Sequence, residues 1–243
     1  MNELWNKILA SYTPEKANWE KTYPYDYYIL RPLSFPLTWL AAKAGLTANQ
    51  VTFITVLISA AGCVLLAHGT RFGLVTGGIL IAVFNLVDCV DGNLARMNPS
   101  PSKRGAFLDS TAGYPYWMAY GAAGIGLYRM GQGELYLLAG FLALLFEVLC
   151  VNLGFCYDYF AMISRQNKPE NAEEKQVSAG RSITGTLLYK VYRNFTSLIA
   201  HDFLFFVTAL SGHLGIFLVV SAIIKVFDFS VMLVYYIFSS RKW

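Results

Sequence analysis

Charged residues are scarce in this chain of 243 residues, of which 14% are Asp, Glu, Lys or Arg and 56% are hydrophobic. A soluble domain of average composition carries about 25% charged residues, so the composition argues against a soluble globular protein. Polar stretches are few as well, and the long one covers residues 164–182, between two apolar regions. We therefore expect an integral membrane protein without low-complexity segments.

The cysteines and histidines lack the spacing of a zinc or redox site. Cys63, Cys89, Cys150 and Cys156 form no CxxC pair and have no histidine at zinc-ligand spacing, so we expect small buried apolar residues. No basic stretch with interleaved aromatic residues is present, which argues against nucleic acid as a partner of this chain of net charge +4. A continuous apolar core is missing from the first 33 residues, so no signal peptide is expected.

Six apolar runs are long enough to cross the hydrocarbon core, which takes about 20 residues. They lie at 49–69, 72–95, 106–129, 134–163, 195–212 and 214–238. The sequence thus predicts an all-α integral membrane protein with six transmembrane helices.

The distribution of Lys and Arg predicts the orientation of these helices. With a cytoplasmic N-terminus, 16 of the 19 fall on the cytoplasmic side, Arg71 and Arg129 fall outside, and Lys225 lies within the sixth helix. Cytoplasmic loops carry the positive excess in membrane proteins. Both termini and the loop between the second and third helices are therefore expected in the cytoplasm, where the positive charge suits anionic lipids or phosphorylated ligands.

An interfacial and juxtamembrane segment is expected over residues 1–46. Its first 20 residues place apolar side chains on one side of a helix and charges elsewhere, which is typical of an amphipathic helix lying in the interface. Its second half is interrupted by Pro32 and Pro36 and is too short to span the membrane. Thr47 then offers an N-cap to the first apolar run, so the six-helix membrane domain is expected over 47–243.

Three carboxylates lie at the ends of two of these apolar segments. Asp88 and Asp91 are three residues apart and share a helical face with Asn85, and Asp109 lies near the start of the next helix. A hairpin of the two helices would bring the three acids together. Such a cluster suits Mg²⁺ or Mn²⁺, and two ions about 3.5–4 Å apart can hold a diphosphate.

The spacing of these acids also allows other interpretations. A charged side chain in lipid costs about 2.5–3.5 kcal/mol on insertion scales, so each acid needs a compensating partner. Acids in a membrane can line a proton or ion path, or pair with cations such as Arg96 or Lys225 to hold the helices together. Spacing alone leaves a metal site and these alternatives open.

The residues around the acids resemble the signature of the CDP-alcohol phosphotransferase family, D-x2-D-G-x2-A-R-x8-G-x3-D-x3-D. They match it at seven positions, namely Asp88, Asp91, Gly92, Ala95, Arg96, Gly105 and Asp109. Upstream, residues 47–52 (T-A-N-Q-V-T) are similar to the T-P-N-Q-V-T sequence that opens the family's first membrane helix, with Ala48 in place of Pro. The resemblance covers most of the chain, although the last third contains no fixed motif.

The resemblance implies transfer of a substituted phosphate from a CDP-alcohol to an acceptor hydroxyl, with release of CMP, in phospholipid or lipid-linked headgroup synthesis. It implies that two Mg²⁺ or Mn²⁺ ions on the diphosphate are held by Asp88, Asp91 and Asp109. It places at the nucleotide and phosphate site Gly92, Ala95, Arg96 and Gly105. The catalytic residues that follow from it are Asp91, Arg96 and Asp109, and the family also suggests a homodimer.

One signature position differs, because the final Asp is replaced by Gly113. In the family this acid is the general base toward the acceptor, and loss of a general base typically costs about 10²–10⁴ in rate. Three explanations are open: an acceptor that is already ionised, a replacement base, or a weakly active or inactive relative that still binds CDP compounds. An engineered substitution is also open. The replacement bases we consider are Tyr114, Tyr116, Glu147, His201 and Asp202.

Two further polar sets have a structural and a functional interpretation. The basic residues that flank the motif are either ordinary cytoplasmic positive charge or a phosphate pocket, and they are Lys103, Arg104, Arg181, Lys190 and Arg193. Lys225 and Asp228, three residues apart, are expected to form a structural ion pair. For Glu147 a hydrogen bond between helices and a role in the site are both open.

Overall fold

The computed structural model describes residues 2–21, 23, 25–98, 103–166 and 198–240, and every regular element in them is helical. The helices are, in chain order, α1 (Asn2–Ala10), α2 (Pro14–Glu20), α3 (Arg31–Lys43), α4 (Ala48–Ala67), α5 (Arg71–Met97), α6 (Lys103–Arg129), α7 (Glu134–Gln166), α8 (Leu198–Ser211) and α9 (Leu214–Ser240). A π-helix of five residues, Asp26–Leu30, leads directly into α3. The predicted all-α fold is confirmed.

Four helices in the described part of the chain are long and apolar enough to cross a membrane, namely α4, α5, α7 and α9. The six predicted apolar runs coincide with α4 to α9. However, α6 carries charges in its first turns, and α8 has 14 described residues, which cover about 21 Å at 1.5 Å per residue. The four spans make this an integral membrane protein, whereas the count of six spans stays a prediction.

The N-terminal segment is not the single amphipathic helix that we expected over residues 1–20. It forms α1 and α2 instead, because Pro14 cannot continue a helix but is well suited to begin one. The hydroxyl of Thr13 caps α2 by accepting a hydrogen bond of 3.3 Å from the backbone N–H of Lys16. The first of these helices packs against α3 and α5, the second contacts the π-helix, and α3 in turn packs against α5.

The predicted N-cap at Thr47 is confirmed and fixes the start of α4. The backbone N–H of Gln50 donates to the Thr47 hydroxyl at 3.3 Å, and the Gln50 side chain accepts from the Thr47 N–H at 2.9 Å. This reciprocal pair is a capping box. Ala48, where the family has Pro, occupies the first helical position, which accepts either residue without loss of an internal hydrogen bond.

The interior of the fold depends on the close approach of α4 to α5 and α6. A Cβ placed on Gly126 of α6 would lie 2.0 Å from the carbonyl oxygen of Leu66 in α4. A Cβ on Gly77 of α5 would lie 2.8 Å from the carbonyl oxygen of Gly62 in α4. Only residues without a side chain permit these backbone contacts.

Gly126→Ala is therefore expected to destabilise the protein by about 1–3 kcal/mol, because the added methyl group forces α4 and α6 apart. The measurement is the thermal unfolding midpoint in detergent. Gly154→Ala in α7 is the matched control, since its Cβ would contact the Tyr236 hydroxyl at 3.9 Å, an ordinary distance. That control should keep or raise the midpoint, because Ala favours a helix over Gly by about 1 kcal/mol. Equal midpoints for the two variants would contradict the close packing of α4 and α6.

A buried ion pair connects α7 and α9. Lys225 Nζ lies 2.5 Å from a carboxylate oxygen of Glu147, and each side chain is 3% exposed. This corrects the expected pair between Lys225 and Asp228 on the same helix: the partner comes from the neighbouring helix. Each charge compensates the desolvation of the other, so Glu147 is engaged in helix packing.

Candidate active site

The three acids of the motif converge where α5 ends and α6 begins. One carboxylate oxygen from each of Asp88, Asp91 and Asp109 lies within 4.8 Å of the others. The predicted hairpin therefore does bring them together. Three carboxylates at this distance repel one another unless a cation or proton lies among them. Their oxygen atoms are the ligands that hard divalent cations such as Mg²⁺ and Mn²⁺ prefer, so the donor set fits a metal site.

Asp91 is held in place by the helix that carries the upstream motif. Asp91 is only 3% exposed, and its carboxylate accepts a hydrogen bond of 2.7 Å from the hydroxyl of Thr52 in α4. Thr52 is the last residue of the T-A-N-Q-V-T sequence, one turn after the capped start of α4. The two motifs that are far apart in the sequence thus meet at one carboxylate.

A cavity of about 270 Å³ lies beside the acids. Its lining from α5 and α6 consists of Asn85, Asp88, Cys89, Asp91, Gly92, Arg96 and Asp109. The rest comes from the N-terminal segment and consists of Lys16, Trp19, Glu20, Asp26, Leu30 and Arg31. Among the described residues, five carboxylates and three cationic side chains line this cavity, an excess of negative charge that favours bound cations.

Arg96 lies across Gly92 at the cavity. A Cβ on Gly92 would be 3.3 Å from Arg96 Nη1, so the missing side chain leaves room for the guanidinium group. Arg96 Nε donates to the backbone carbonyl of Ser11 at 3.0 Å, which ties it to the N-terminal segment. The other two residues predicted for the nucleotide and phosphate site, Ala95 and Gly105, do not line this cavity: Ala95 is exposed on α5, and Gly105 lies in the first turn of α6.

Asn93 connects this arginine to α3. Its side-chain oxygen accepts hydrogen bonds from Arg96 Nη2 and Arg31 Nη1, both at 2.8 Å. Its side-chain nitrogen donates to the hydroxyls of Ser34 at 3.1 Å and Thr38 at 3.0 Å. Asn93 is fully buried, and its amide group has four polar partners, so it fixes the last turns of α5 against α3.

A buried ion pair completes this network. The guanidinium group of Arg31 donates through Nε to Glu20 at 3.0 Å and through Nη2 to the other oxygen of the same carboxylate. Lys16 Nζ lies 3.3 Å from Glu20 as well. Burial alone would raise the pKa of the Glu20 carboxyl, but the hydrogen bonds and charge of Arg31 outweigh it and hold that pKa below its usual value.

Asp26, at the start of the π-helix, is a further carboxylate in the lining. It is partly buried, and burial raises the pKa of its carboxyl to about 6, with the negative charge of Glu20 adding to the effect. Among the described residues it makes no side-chain hydrogen bond or salt bridge, in contrast to Glu20. Of the two acids that the N-terminal segment contributes to the described lining, Asp26 is therefore the one available to a ligand.

The replacement bases predicted from the sequence do not lie at this cavity, as far as the structure describes them. Tyr116 is buried and stacks on Phe84, with 4.8 Å between the ring centroids. Tyr114 is exposed on α6 and packs against Trp117, and Glu147 is paired with Lys225. The side chains of His201 and Asp202 lie outside the described residues.

The flanking basic residues contribute nothing to the lining within the described part of the chain. Lys103 and Arg104 are exposed at the start of α6, and the other three, Arg181, Lys190 and Arg193, lie outside the described residues. The cationic groups at the cavity are Lys16, Arg31 and Arg96 instead. Sequence reasoning missed the first two because they are separated from the motif by more than 50 residues and follow no spacing rule.

Gly113 lies one helical turn beyond Asp109 on α6. A Cβ at this position would contact the ring of Trp117 at 3.4–3.9 Å, which is an ordinary distance. The backbone can therefore accept an aspartate here, so packing does not require glycine.

Apolar spanning helices and an acid-lined cavity where α5 ends and α6 begins define a helical membrane protein with a site suited to cations and phosphates. Residues 45–189, more than half of the chain, match the CDP-alcohol phosphatidyltransferase family. The chain belongs to this family, whose members are transferases that use divalent metal ions.

The chain is also similar to two individual proteins. Archaetidylinositol phosphate synthase of Pyrococcus horikoshii is 42% identical over 73 residues, which are 29% of this chain and 36% of that protein. The match thus spans about a third of the length of this curated relative. The apo crystal structure of phosphatidylinositol phosphate synthase from Mycobacterium tuberculosis superposes with a TM-score of 0.52 and 19% identity, over 82% of this chain and 93% of that one. This second likeness concerns the fold alone.

Proposed function

We propose that the chain is an active enzyme that transfers a phosphatidyl-type group from a CDP-activated lipid to the hydroxyl of a phosphorylated polyol, with release of CMP. The observation that carries this proposal is the convergence of Asp88, Asp91 and Asp109 within 4.8 Å beside a polar cavity. The choice of substrates follows the names of the two similar proteins, which are both synthases of inositol phosphate lipids.

In this proposal Asp88, Asp91 and Asp109 hold Mg²⁺ or Mn²⁺. Bound there, the cations neutralise the diphosphate and stabilise the CMP leaving group. Arg96, held by Asn93 and Ser11, contacts a phosphate of the donor, and Gly92 lets that guanidinium group approach. Asp91 and Asp109 belong to the catalytic machinery because they would position the cations whose positive charge faces the diphosphate.

The remaining features of the proposal concern the setting of the enzyme. The positive charges of the loops favour a site and two termini that face the cytoplasm. The family suggests a homodimer. The catalytically silent alternative gains no support from the family match or the two similar proteins.

Removal of divalent cations is expected to abolish CMP release, because three clustered carboxylates cannot hold a diphosphate without them. The assay incubates the purified chain with CDP-diacylglycerol or its archaeal ether counterpart and with inositol phosphate, and it measures CMP. EDTA should stop the reaction, and added Mg²⁺ or Mn²⁺ should restore it. Persistent CMP release in EDTA would contradict a metal-dependent transferase.

Two other results would favour the alternative functions. Metal-dependent binding of the CDP-lipid without CMP release would favour a silent CDP-binding protein. Ion flux in liposomes that does not depend on nucleotide would favour a transporter that uses the same acids.

A further inference from the structure

The proposed reaction requires a group that takes the proton of the acceptor hydroxyl, and the signature position for it is Gly113. None of the three described candidates near or after the motif, Tyr114, Tyr116 and Glu147, lines the cavity. The cavity does contain two carboxylates from outside the motif, Glu20 and Asp26. Among the described residues, these two are the carboxylates outside the motif that are placed to supply a base.

Glu20 is unsuited to this role because its carboxylate is held in a buried ion pair. Arg31 donates to both of its oxygens, and Lys16 lies 3.3 Å away. It is also 1% exposed, so a substrate hydroxyl cannot reach it without disrupting the ion pair. Asp26 is more accessible and has no such partner among the described residues.

The fold places Asp26 through a rigid connection to the motif helix. The backbone N–H of Arg31 donates to the backbone carbonyl of Asp26 at the end of the π-helix. The side chain of the same Arg31 donates to Asn93 on α5, two residues after Asp91. Asp26 is thereby held at a set position relative to α5, although more than 60 residues separate it from Asp88 and Asp91 in the sequence.

We propose that Asp26 is the general base of the reaction and replaces the carboxylate that is missing at Gly113. This inference rests on the proposed transferase function. The acceptor oxygen forms a bond to the phosphorus that carries the lipid alcohol, while the bond from that phosphorus to the bridging oxygen breaks. CMP leaves with the bridging oxygen and its electron pair, and the acceptor proton goes to the Asp26 carboxylate and then to water.

The charges around Asp26 are consistent with a base at neutral pH. The pKa of the Asp26 carboxyl is about 6. It is raised by burial and by the negative charges of Glu20 in α2 and Asp88 in α5, and it is lowered by the positive charges of Arg31 and Lys16. At pH 7 most of the carboxylate is ionised and can accept a proton. It is also more basic than an ordinary aspartate, so proton transfer from a hydroxyl is more favourable.

The test compares Asp26→Asn with the double variant Asp26→Asn/Gly113→Asp. Asp26→Asn should lower kcat for CMP release by about 10²–10⁴-fold, because the amide cannot take the proton. The KM for CDP-diacylglycerol and its binding, measured by calorimetry, should change little. The double variant restores a carboxylate at the signature position, where the backbone accepts one, and should regain a large part of the lost kcat. Glu15→Gln, an exposed acid on the same segment that does not line the cavity, is the control and should behave as the unaltered chain.

Each outcome decides between the proposals. If the unaltered chain releases CMP and Asp26→Asn keeps its kcat, the assignment of Asp26 is wrong and the transferase function stands. If Asp26→Asn loses activity but the double variant does not recover, although both bind the donor, Asp26 has a positioning role and the assignment is again overturned. If the unaltered chain releases no CMP from these substrates, the proposed function fails, and the inference fails with it.

The pH profile gives a second readout. The kcat of the unaltered chain should fall as pH is lowered through about 6, since a protonated Asp26 cannot act as a base. In the double variant this acidic limb should move, because the titrating group is then the new aspartate in a different environment. An acidic limb at the same pH in both proteins would overturn the assignment.

Discussion

Asp91→Asn is expected to lower CMP release by at least about 10²–10³-fold, the range seen when one preorganised electrostatic contact to a reacting group is lost. Asp91 is the one fully buried member of the three acids, and it accepts a 2.7 Å hydrogen bond from Thr52. Asparagine has the same shape and can still accept from the hydroxyl, so the variant removes the negative charge and little else. The cluster of three acids then has two carboxylates left to compensate a divalent cation.

The control for this prediction is Thr52→Val, which removes the hydrogen bond and keeps the carboxylate. A hydrogen bond to a charged group contributes about 1.5–3 kcal/mol, so the rate should fall by about 10–150-fold at most. Metal-dependent binding of CDP-diacylglycerol, measured alongside, should be lost in Asp91→Asn and weakened in Thr52→Val. An Asp91→Asn variant that folds, binds donor with added Mg²⁺ and turns over at the normal rate would remove the metal site from the mechanism.

Arg31→Met is expected to destabilise the protein by about 3–5 kcal/mol, because it leaves a buried carboxylate without its main partner. Glu20 and Arg31 are 1% and 4% exposed, so water cannot replace the lost contact. The substitution also removes one of the two donors to the Asn93 oxygen. Unfolding in detergent by heat or denaturant measures the effect.

The matched control is an exposed pair of the same segment. Lys7 and Glu3 lie 3.0 Å apart, with side chains 65% and 87% exposed, so Lys7→Met should change stability by at most about 1 kcal/mol. The double variant Glu20→Gln/Arg31→Met should recover part of the loss, since no isolated charge remains buried. Similar unfolding midpoints for Arg31→Met and Lys7→Met would show that the Glu20–Arg31 pair does not stabilise the N-terminal segment.

The helices and the acid cluster could be predicted because they depend on local patterns. An apolar run of membrane length gives a helix wherever it occurs, as α4, α5, α7 and α9 illustrate, since backbone groups in lipid must bond internally. Asp88 and Asp91 share a face because three residues are nearly one turn, and a short connection returns Asp109 to the same end. The N-cap at Thr47 is likewise formed within four neighbouring residues, 47–50.

The partners across the fold could not be predicted in this way. The spacing on one helix predicts that Lys225 pairs with Asp228, but its contact is Glu147 on α7. The packing of α7 against α9 brings the Glu147 carboxylate to the Lys225 ammonium group, and spacing along one helix cannot show this. The sequence predicts only that the start of the N-terminal segment lies in the membrane interface. Its contribution of Lys16, Asp26 and Arg31 to the cavity follows from the packing of α3 on α5.

The sequence by itself determined that this is a helical membrane protein of the CDP-alcohol phosphatidyltransferase family with three acids at one end of a helical hairpin, and that a glycine stands at position 113. Those properties depend on composition and short spacings, which are readable along the chain. Only the tertiary structure decided what surrounds the acids: Thr52 on Asp91, Asn93 between two arginines, and Asp26 in the same cavity. The physical reason is that such contacts join segments tens of residues apart. Which segments meet depends on how whole helix faces are buried against one another, and this cannot be read from the spacing of a few residues.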